Sequence, residues 1–323
     1  MAAAPSIPGA AAVGGAGWTE ALLQSLPASR LQPLLEDSRR WAANTLAQRP
    51  LPSRRDEAWR FTDLAPLQAI PPALVPQESR SAPLPPAAAS VLRLVLDGQS
   101  DPLEGVTLPA GLGVIPAGDL ADLVSTPAPD QAEQAAVSGH AAARAGAEPP
   151  WAGLLAAATA GRLLALRVRG VVEPTLELVS DAAAAEGVMP LRVLLVLEPQ
   201  ANLSLLQVHR ASGASLTSVL LEARLGDGSR LDHGLIAQGS GAAVLLADLA
   251  IEQERGSGYA FTSAVTGWAL SRLEPRVRQC SGGATTRLRA LQRVDDRQVA
   301  DRSEEHTSEL QSPCNLVCRL LLE

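Results

Sequence analysis

From Arg162 onward the apolar residues recur with a period of two, in short runs, and no helix-length segment separates one run from the next. The runs read LRVLLVLEP, ANLSLLQVHR, SLTSVLLEARL, SRLDHGLIAQG and AAVLLADLAIEQ, punctuated by Gly, Asn and Pro. That period places alternate side chains on opposite faces of a strand. Parallel strands joined through helices need crossovers of a dozen residues or more, so the pattern argues against a βαβ sheet. A longer repeat overlies the short one. QANLSLL, GSRLDHGL, GYAFTSAV and ATTRLRAL each set a small or polar bend before a strand, and Leu203, Leu231, Phe261 and Leu288 recur at intervals of 28, 30 and 27 residues. Intervals of this size fit a solenoid whose coils stack strand upon strand, and a β-sandwich is the rival architecture.

The first part of the chain has a different texture. Three of the five tryptophans, Trp18, Trp41 and Trp59, fall before residue 60, among leucines at helical spacing. Two or three short helices are expected there, broken at Pro27 and at Pro50-Leu51-Pro52. Ser53 with Asp56 three residues on has the form of a capping pair. Helical spacing would then place Trp59 four residues after Arg55, with Phe61 three after Ala58. The segment VLRLVLDG at 91–98 alternates as a strand and ends on an Asp-Gly turn. Weak helix is expected over 131–147 and a short helix from Trp151 to Ala160. The expected organisation is a disordered start (1–17), a helical N-terminal domain (18–70), a Pro/Ala-rich connector with a short strand and helices (71–160) and a β core (161–301) that is expected to be incomplete, cut off near Asp301.

Composition narrows the function classes. No stretch of eighteen uncharged apolar residues occurs, so the protein is expected to be soluble. The opening MAAAPSIPGAAAVGGAG lacks the basic n-region of a secretory signal and the Arg/Ser richness of a transit peptide, which leaves the cytoplasm. The net charge of −7 gives no support to nucleic-acid binding. All 27 basic residues are arginine, scattered through a chain also rich in Ala, Gly and Pro, the signature of codon bias. Three cysteines make no disulfide framework.

The text changes at about Arg302. RSEEHTSELQSPCNLVCRLLLE loses the alanines and holds two of the three cysteines, Cys314 and Cys318, near His306. Those three could be read as metal ligands, but one distant His gives such a site poor support. The segment resembles the in-frame translation of a sequencing-library adapter, and residues 302–323 are expected to be foreign to the fold.

Against this background LPSRRDEAWRFTDLAPL, residues 51–67, resembles the N-terminal signature of the SufD family, carried here by Glu57, Trp59, Arg60, Thr62 and Asp63. The resemblance continues in order through LRVLLVLEPQANLSLLQVH, LEARLGDGSRLDHGLIAQ, SRLEPRVRQCSGGATTRLRAL and QVAD, and so covers residues 18–301. It implies a right-handed parallel β-helix behind a small helical N-terminal domain, mainly β with some α. It also implies a non-catalytic scaffold that joins a SufB-like subunit and a SufC-like ATPase to assemble iron–sulfur clusters. No cofactor would belong to this chain itself; the cluster would be held transiently by the complex. A β-helix enzyme acting on carbohydrate and a stand-alone interaction solenoid are the competing functions.

Within that frame Trp59 and Phe61 are expected to anchor the helical module to its neighbour, with Glu57 and Arg60 as a polar rim. Arginine stems are expected over the rings. Cys280-Ser281-Gly282-Gly283-Ala284-Thr285 imitates the family's Cys-Ser-His-Gly-Ala-Thr interface segment, but Gly282 replaces the His and the position is too early. It reads as a coil bend with a partly buried thiol, and the family's own segment would lie beyond Asp301. His209 and His233 lie in strand-like text and could share a face with Asp232 nearby, but no third ligand converges, and both are expected at the surface or in turns. The Gly-rich pieces lack the Lys-Ser/Thr of a phosphate loop, so no ATPase is expected here, and no Ser-His-Asp arrangement is recognisable.

Overall fold

The structure, a computed structural model, describes residues 15–27, 35–49, 51–76, 86–124, 150–183, 185–302 and 305–308. Its centre is a parallel β-solenoid of about five turns, made of two sheets that take successive strands in alternation from residue 164 to residue 302. One sheet has six strands: β1 (Val91–Val95), β4 (Thr175–Ala182), β6 (Asn202–Ala211), β8 (Arg230–Gln238), β10 (Gly258–Thr266) and β12 (Thr285–Arg293). The eight-stranded sheet holds β2 (Leu112–Val114), β3 (Leu164–Val168), β5 (Gly187–Leu197), β7 (Ser215–Leu225), β9 (Val244–Gln253), β11 (Leu270–Gln279), β13 (Val299–Arg302) and β14 (Glu305–Ser308). Every pairing is parallel except that of β2 with β3. The expected mainly β solenoid with a small helical N-terminal region is therefore present, and the sandwich is excluded.

Register refines the repeat. Leu203 pairs with Leu231 and Phe261 with Leu288, as the intervals suggested. Leu231, however, pairs with Tyr259, and Phe261 pairs with His233. The interval of 30 was two residues too long. A two-residue slip leaves every side chain on its own face, so the apolar pattern cannot detect it. Gly267, between β10 and β11, adopts φ 82° where an added Cβ would meet the Gly239 carbonyl oxygen at 2.1 Å, so this corner accepts only glycine.

The two sheets bury their residues differently, and the reason is what lies outside them. Strands β6 and β8 alternate between lumen and exterior. Strands β5, β7, β9 and β11 are buried almost throughout: one face fills the lumen and the other lies under helices. The covering helices are α1 (Gly15–Ser25), α2 (Glu36–Ala47), α3 (Ala65–Gln68) and α5 (Trp151–Thr159); α4 (Ala117–Val124) lies between β2 and α5 in the chain. All nine residues of α5 are buried. Trp18, Leu22, Leu46, Leu67 and Leu154 form one core cluster with Val188, Leu216, Leu246 and Leu270 of the sheet. The helical head and the solenoid's outer wall therefore share a core.

Four sequence expectations meet this structure in detail. Helix α1 begins at Gly15, inside the stretch read as a disordered start, of which residues 1–14 lie outside the described residues. Strand β1 forms as read and joins the six-stranded sheet beside β4. The Ala-rich stretch 131–147, together with Cys314 and Cys318, lies outside the described residues. Past residue 301, β14 pairs with β11 in the same register as β13, Arg276 facing Glu305 as Leu270 faces Val299.

Candidate functional site

The signature Glu57–Asp63 forms a tight corner, where helical spacing had been expected. Its only helix is the 3-10 turn Glu57–Trp59, and successive N–H groups reach back three residues, Trp59 to Asp56 and Thr62 to Trp59. The Asp56 carboxylate closes the corner by accepting from the Ser53 N–H at 2.7 Å. In so tight a turn Trp59 and Phe61 point apart. Trp59 is buried, whereas Phe61 is 90% exposed with the Arg60 guanidinium 5.7 Å from its centroid. Phe61 is thus no anchor of the head. Glu57 and Arg60 are exposed, and exposed Asp63 accepts from the Ala65 N–H at 3.1 Å, opening α3.

Trp59 meets Trp151 of α5 edge to face, centroids 6.4 Å apart. Above the ring, at 4.0 Å, sits the guanidinium of Arg272 from β11, not that of Arg55. Arg272 is 1% exposed and fully engaged. Its Nε donates to Glu274 at 2.8 Å, and Nη1 donates to Asp301 of β13 and, at 3.5 Å, to the hydroxyl of Thr62. That hydroxyl in turn donates to Asp301. Trp59 and Thr62 of the signature are thereby fastened to β11 and β13 through one buried arginine. Cation–π and charge-assisted bonds strengthen when water is excluded.

More charge lies buried along the same wall. Arg276 grips Asp248 through two hydrogen bonds of 2.9 and 2.8 Å. Burial pushes the Asp248 carboxyl up to about 7; Arg276 opposes that shift and Glu274 adds to it. Gly153 of α5 makes room for this carboxylate, since a Cβ there would lie 2.1 Å from Asp248 Oδ2. Arg192 of β5 lies 3.7 Å from Glu222 of β7 and donates to Ser38 of α2 at 3.2 Å; burial lowers its pKa. Arg272, Asp248 and Gly153 were missed in the sequence, although charges inside the apolar runs VLLADLAIE and LSRLEPRV mark strands covered on both faces.

The two histidines correct their expected place. His209 and His233 occupy inward positions of β6 and β8 and are buried in the lumen, because the inward phase of these strands runs Leu203, Leu205, Gln207, His209 and Leu231, His233, Leu235. His209 Nδ1 lies 2.7 Å from Ser180 Oγ. His233 bridges Gln207 Oε1 at 2.8 Å, where its Nε2–H donates, and the Tyr259 hydroxyl at 3.1 Å, where its Nδ1 accepts. Burial lowers His209 to about 4 and His233 to about 3, with His209 adding to the latter shift, so both rings are neutral at pH 7. Asp232, one residue from His233, faces outward and is exposed. Among the described residues no group of three His, Cys, Asp or Glu could hold a metal ion. Cys280 lies at the turn after β11, half-buried and outside any disulfide.

What this arrangement does is mechanical: it locks a helical head to a stack of parallel strands and fills the lumen with a neutral polar network. Among the described residues no helix is long and apolar enough to cross a membrane. A search of curated proteins finds no match to the chain. Residues 179–309 match the family model described as SUF system FeS cluster assembly, SufBD core domain. The matched span runs from β4 through β14 and includes Arg272 and Asp301, the two residues that hold the signature corner. The match supports a place for this chain in the SufB/SufD family, and with it a role in iron–sulfur cluster assembly.

Proposed function

We propose that this protein is a SufD-like, non-catalytic scaffold subunit of a cytoplasmic SufBCD complex. A SufB-like subunit would be its solenoid partner and a SufC-like ATPase would supply nucleotide hydrolysis. The iron–sulfur cluster is the cargo of the assembled complex, held by no resident cofactor site of this chain. One observation carries the reading: the corner bearing Trp59 and Thr62, which resembles the SufD signature, is buried on Arg272 and Asp301 of the matched core. The abrupt change of composition from about Arg302 motivates reading 302–323 as foreign text. Against it stand the solenoid register kept by β14 and the family match as far as residue 309. The nucleotide sequence through these codons tests it directly.

Co-expression with the SufB-like and SufC-like proteins of the same source tests the assignment. A complex that carries all three through affinity and size-exclusion steps is expected. Recovery of this chain apart from both partners, in a folded state, would overturn it.

A further inference from the structure

The outward face of the six-stranded sheet carries a row of aliphatic side chains aligned by register: Val95, Val179, Val208, Ile236, Ala264 and Leu291 occupy one position on six successive strands. Val179 is buried, but Ile236 and Leu291 remain 40% and 48% exposed. The sheet's solvent side should be polar when one face fills a core. An aligned apolar row there marks a binding surface.

At the β12 end, Arg287, Arg289 and Arg293 point to the same side as Leu291, and all three are exposed. Among the described residues none of them has a carboxylate partner. By contrast Arg93 pairs with Glu177 and Arg210 with Asp181 across the other end of the sheet. Three cations that make no ion pair among the described residues therefore surround one end of an apolar row, in a chain whose net charge is −7. The floor beside the row is low on β8, where Gly234 faces outward next to it, while Thr262 holds the same level on β10.

We infer that this face docks an amphipathic helix of another protein, with aliphatic side chains along one stripe and carboxylates in the turn that lies over β12. Adjacent strands are about 4.8 Å apart, close to the 5.4 Å rise of one helical turn, so residues three or four apart can meet successive rungs. Same-face residues of an extended strand are about 6.6 Å apart and fall out of step. From Val208 to Leu291 the open row spans about 14 Å, roughly ten helical residues. A second copy of this chain fits poorly, because its own three arginines would face the first set, and of the outward acids of the sheet Glu177 and Asp181 are already paired, leaving Asp232 alone to meet them.

The test places a photo-crosslinking residue at Ile236 of the full chain, in the cells that make the protein, and sequences the captured peptides. A single acidic, aliphatic-striped segment of another protein is expected, with its yield cut at least tenfold in the R289E/R293E variant. Fluorescence anisotropy with the synthetic captured peptide should show the same loss, and R289Q/R293Q should show a smaller one. Both variants alter exposed side chains, and an unchanged melting temperature would establish that they fold. Capture of nucleic acid, of lipid or of a second copy of this chain would overturn the inference. So would captured peptides with no acidic bias, a yield indifferent to the two arginines, or no capture at all.

Discussion

The Arg272 guanidinium lies 4.0 Å from the centre of the Trp59 ring, which joins the signature corner to the eleventh strand of the solenoid. The ring is also packed against Trp151, so removing it opens a cavity between head and wall. Trp59→Ala should cost about 3–5 kcal/mol of unfolding free energy. Phe61→Ala, two residues away on a 90% exposed side chain, should change stability by less than about 0.5 kcal/mol. Denaturant titration of the two variants side by side checks both; comparable losses would mean that Phe61 is packed after all.

Truncating Arg272 leaves two acids without their cation. Its guanidinium is the partner of both Glu274 and Asp301, and Glu274 is nearly buried. Arg272→Met keeps the stem over Trp59 yet should destabilise by about 3–5 kcal/mol, as broken buried pairs do. Adding Asp301→Asn should restore part of that loss, because one orphaned charge is then neutral. Additive losses in the double-mutant cycle would argue that the two residues do not communicate.

Gly153 and Asp248 form a second coupled pair. A methyl group at 153 would collide with the carboxylate, so Gly153→Ala should destabilise despite the higher helix propensity of alanine, which alone would add about 1 kcal/mol. Combined with Asp248→Ala, the same change should cost less than it does alone. A stabilising Gly153→Ala would show that α5 has room to move away from β9.

Acid should weaken the fold through the lumen. Unfolded histidines bind protons near pH 6.5, while burial holds folded His209 to about 4 and His233 to about 3. Between pH 6.5 and 4 the unfolded chain therefore binds more protons, and stability falls with pH by up to about 1.4 kcal/mol per unit for each ring. Asp248 acts in the opposite direction: with its pKa raised from 3.8 to about 7, the folded state holds an extra proton in most of that window. Two slopes against one leave a net loss of about 1.4 kcal/mol per pH unit on acidification. Urea midpoints measured from pH 7 to 4 should show it, and replacing both histidines with glutamine should remove or reverse the slope. A wild-type midpoint that is flat across this range would place the histidines in water.

Much of the fold was legible because the chain repeats one physical unit. Strands of period two, returning every 26 to 29 residues, leave few architectures to choose from, and β5 to β9 lie close to where their runs were read. The phase of β6 and β8 was harder. Leu206, Val208 and Ile236 are apolar and face outward, so both faces look hydrophobic and the inward place of the histidines is masked. The buried arginine and its partners were illegible for a different reason. Thr62, Arg272 and Asp301 meet only because a corner of the head lands on strands far away in the chain, and local pattern holds no record of that landing. Similarly, the tight corner at Trp59 defeats helical spacing because side-chain and main-chain bonds from Ser53 and Asp56 set its geometry.

The distance in sequence between Thr62 and Asp301, 239 residues, has a kinetic consequence. Each rung of the stack closes a loop of nearly constant length, whatever the height already built. Joining the corner to β13 closes a loop about eight times longer, at an entropic cost about 2 kcal/mol greater than that of one rung. The rungs can therefore zip up early and locally, while this contact waits for the strand it needs. Its formation works as a late latch: the N-terminal corner takes its bonds to Asp301 only once β13 is laid down, so a part of the polypeptide made early waits for a strand made 239 residues later.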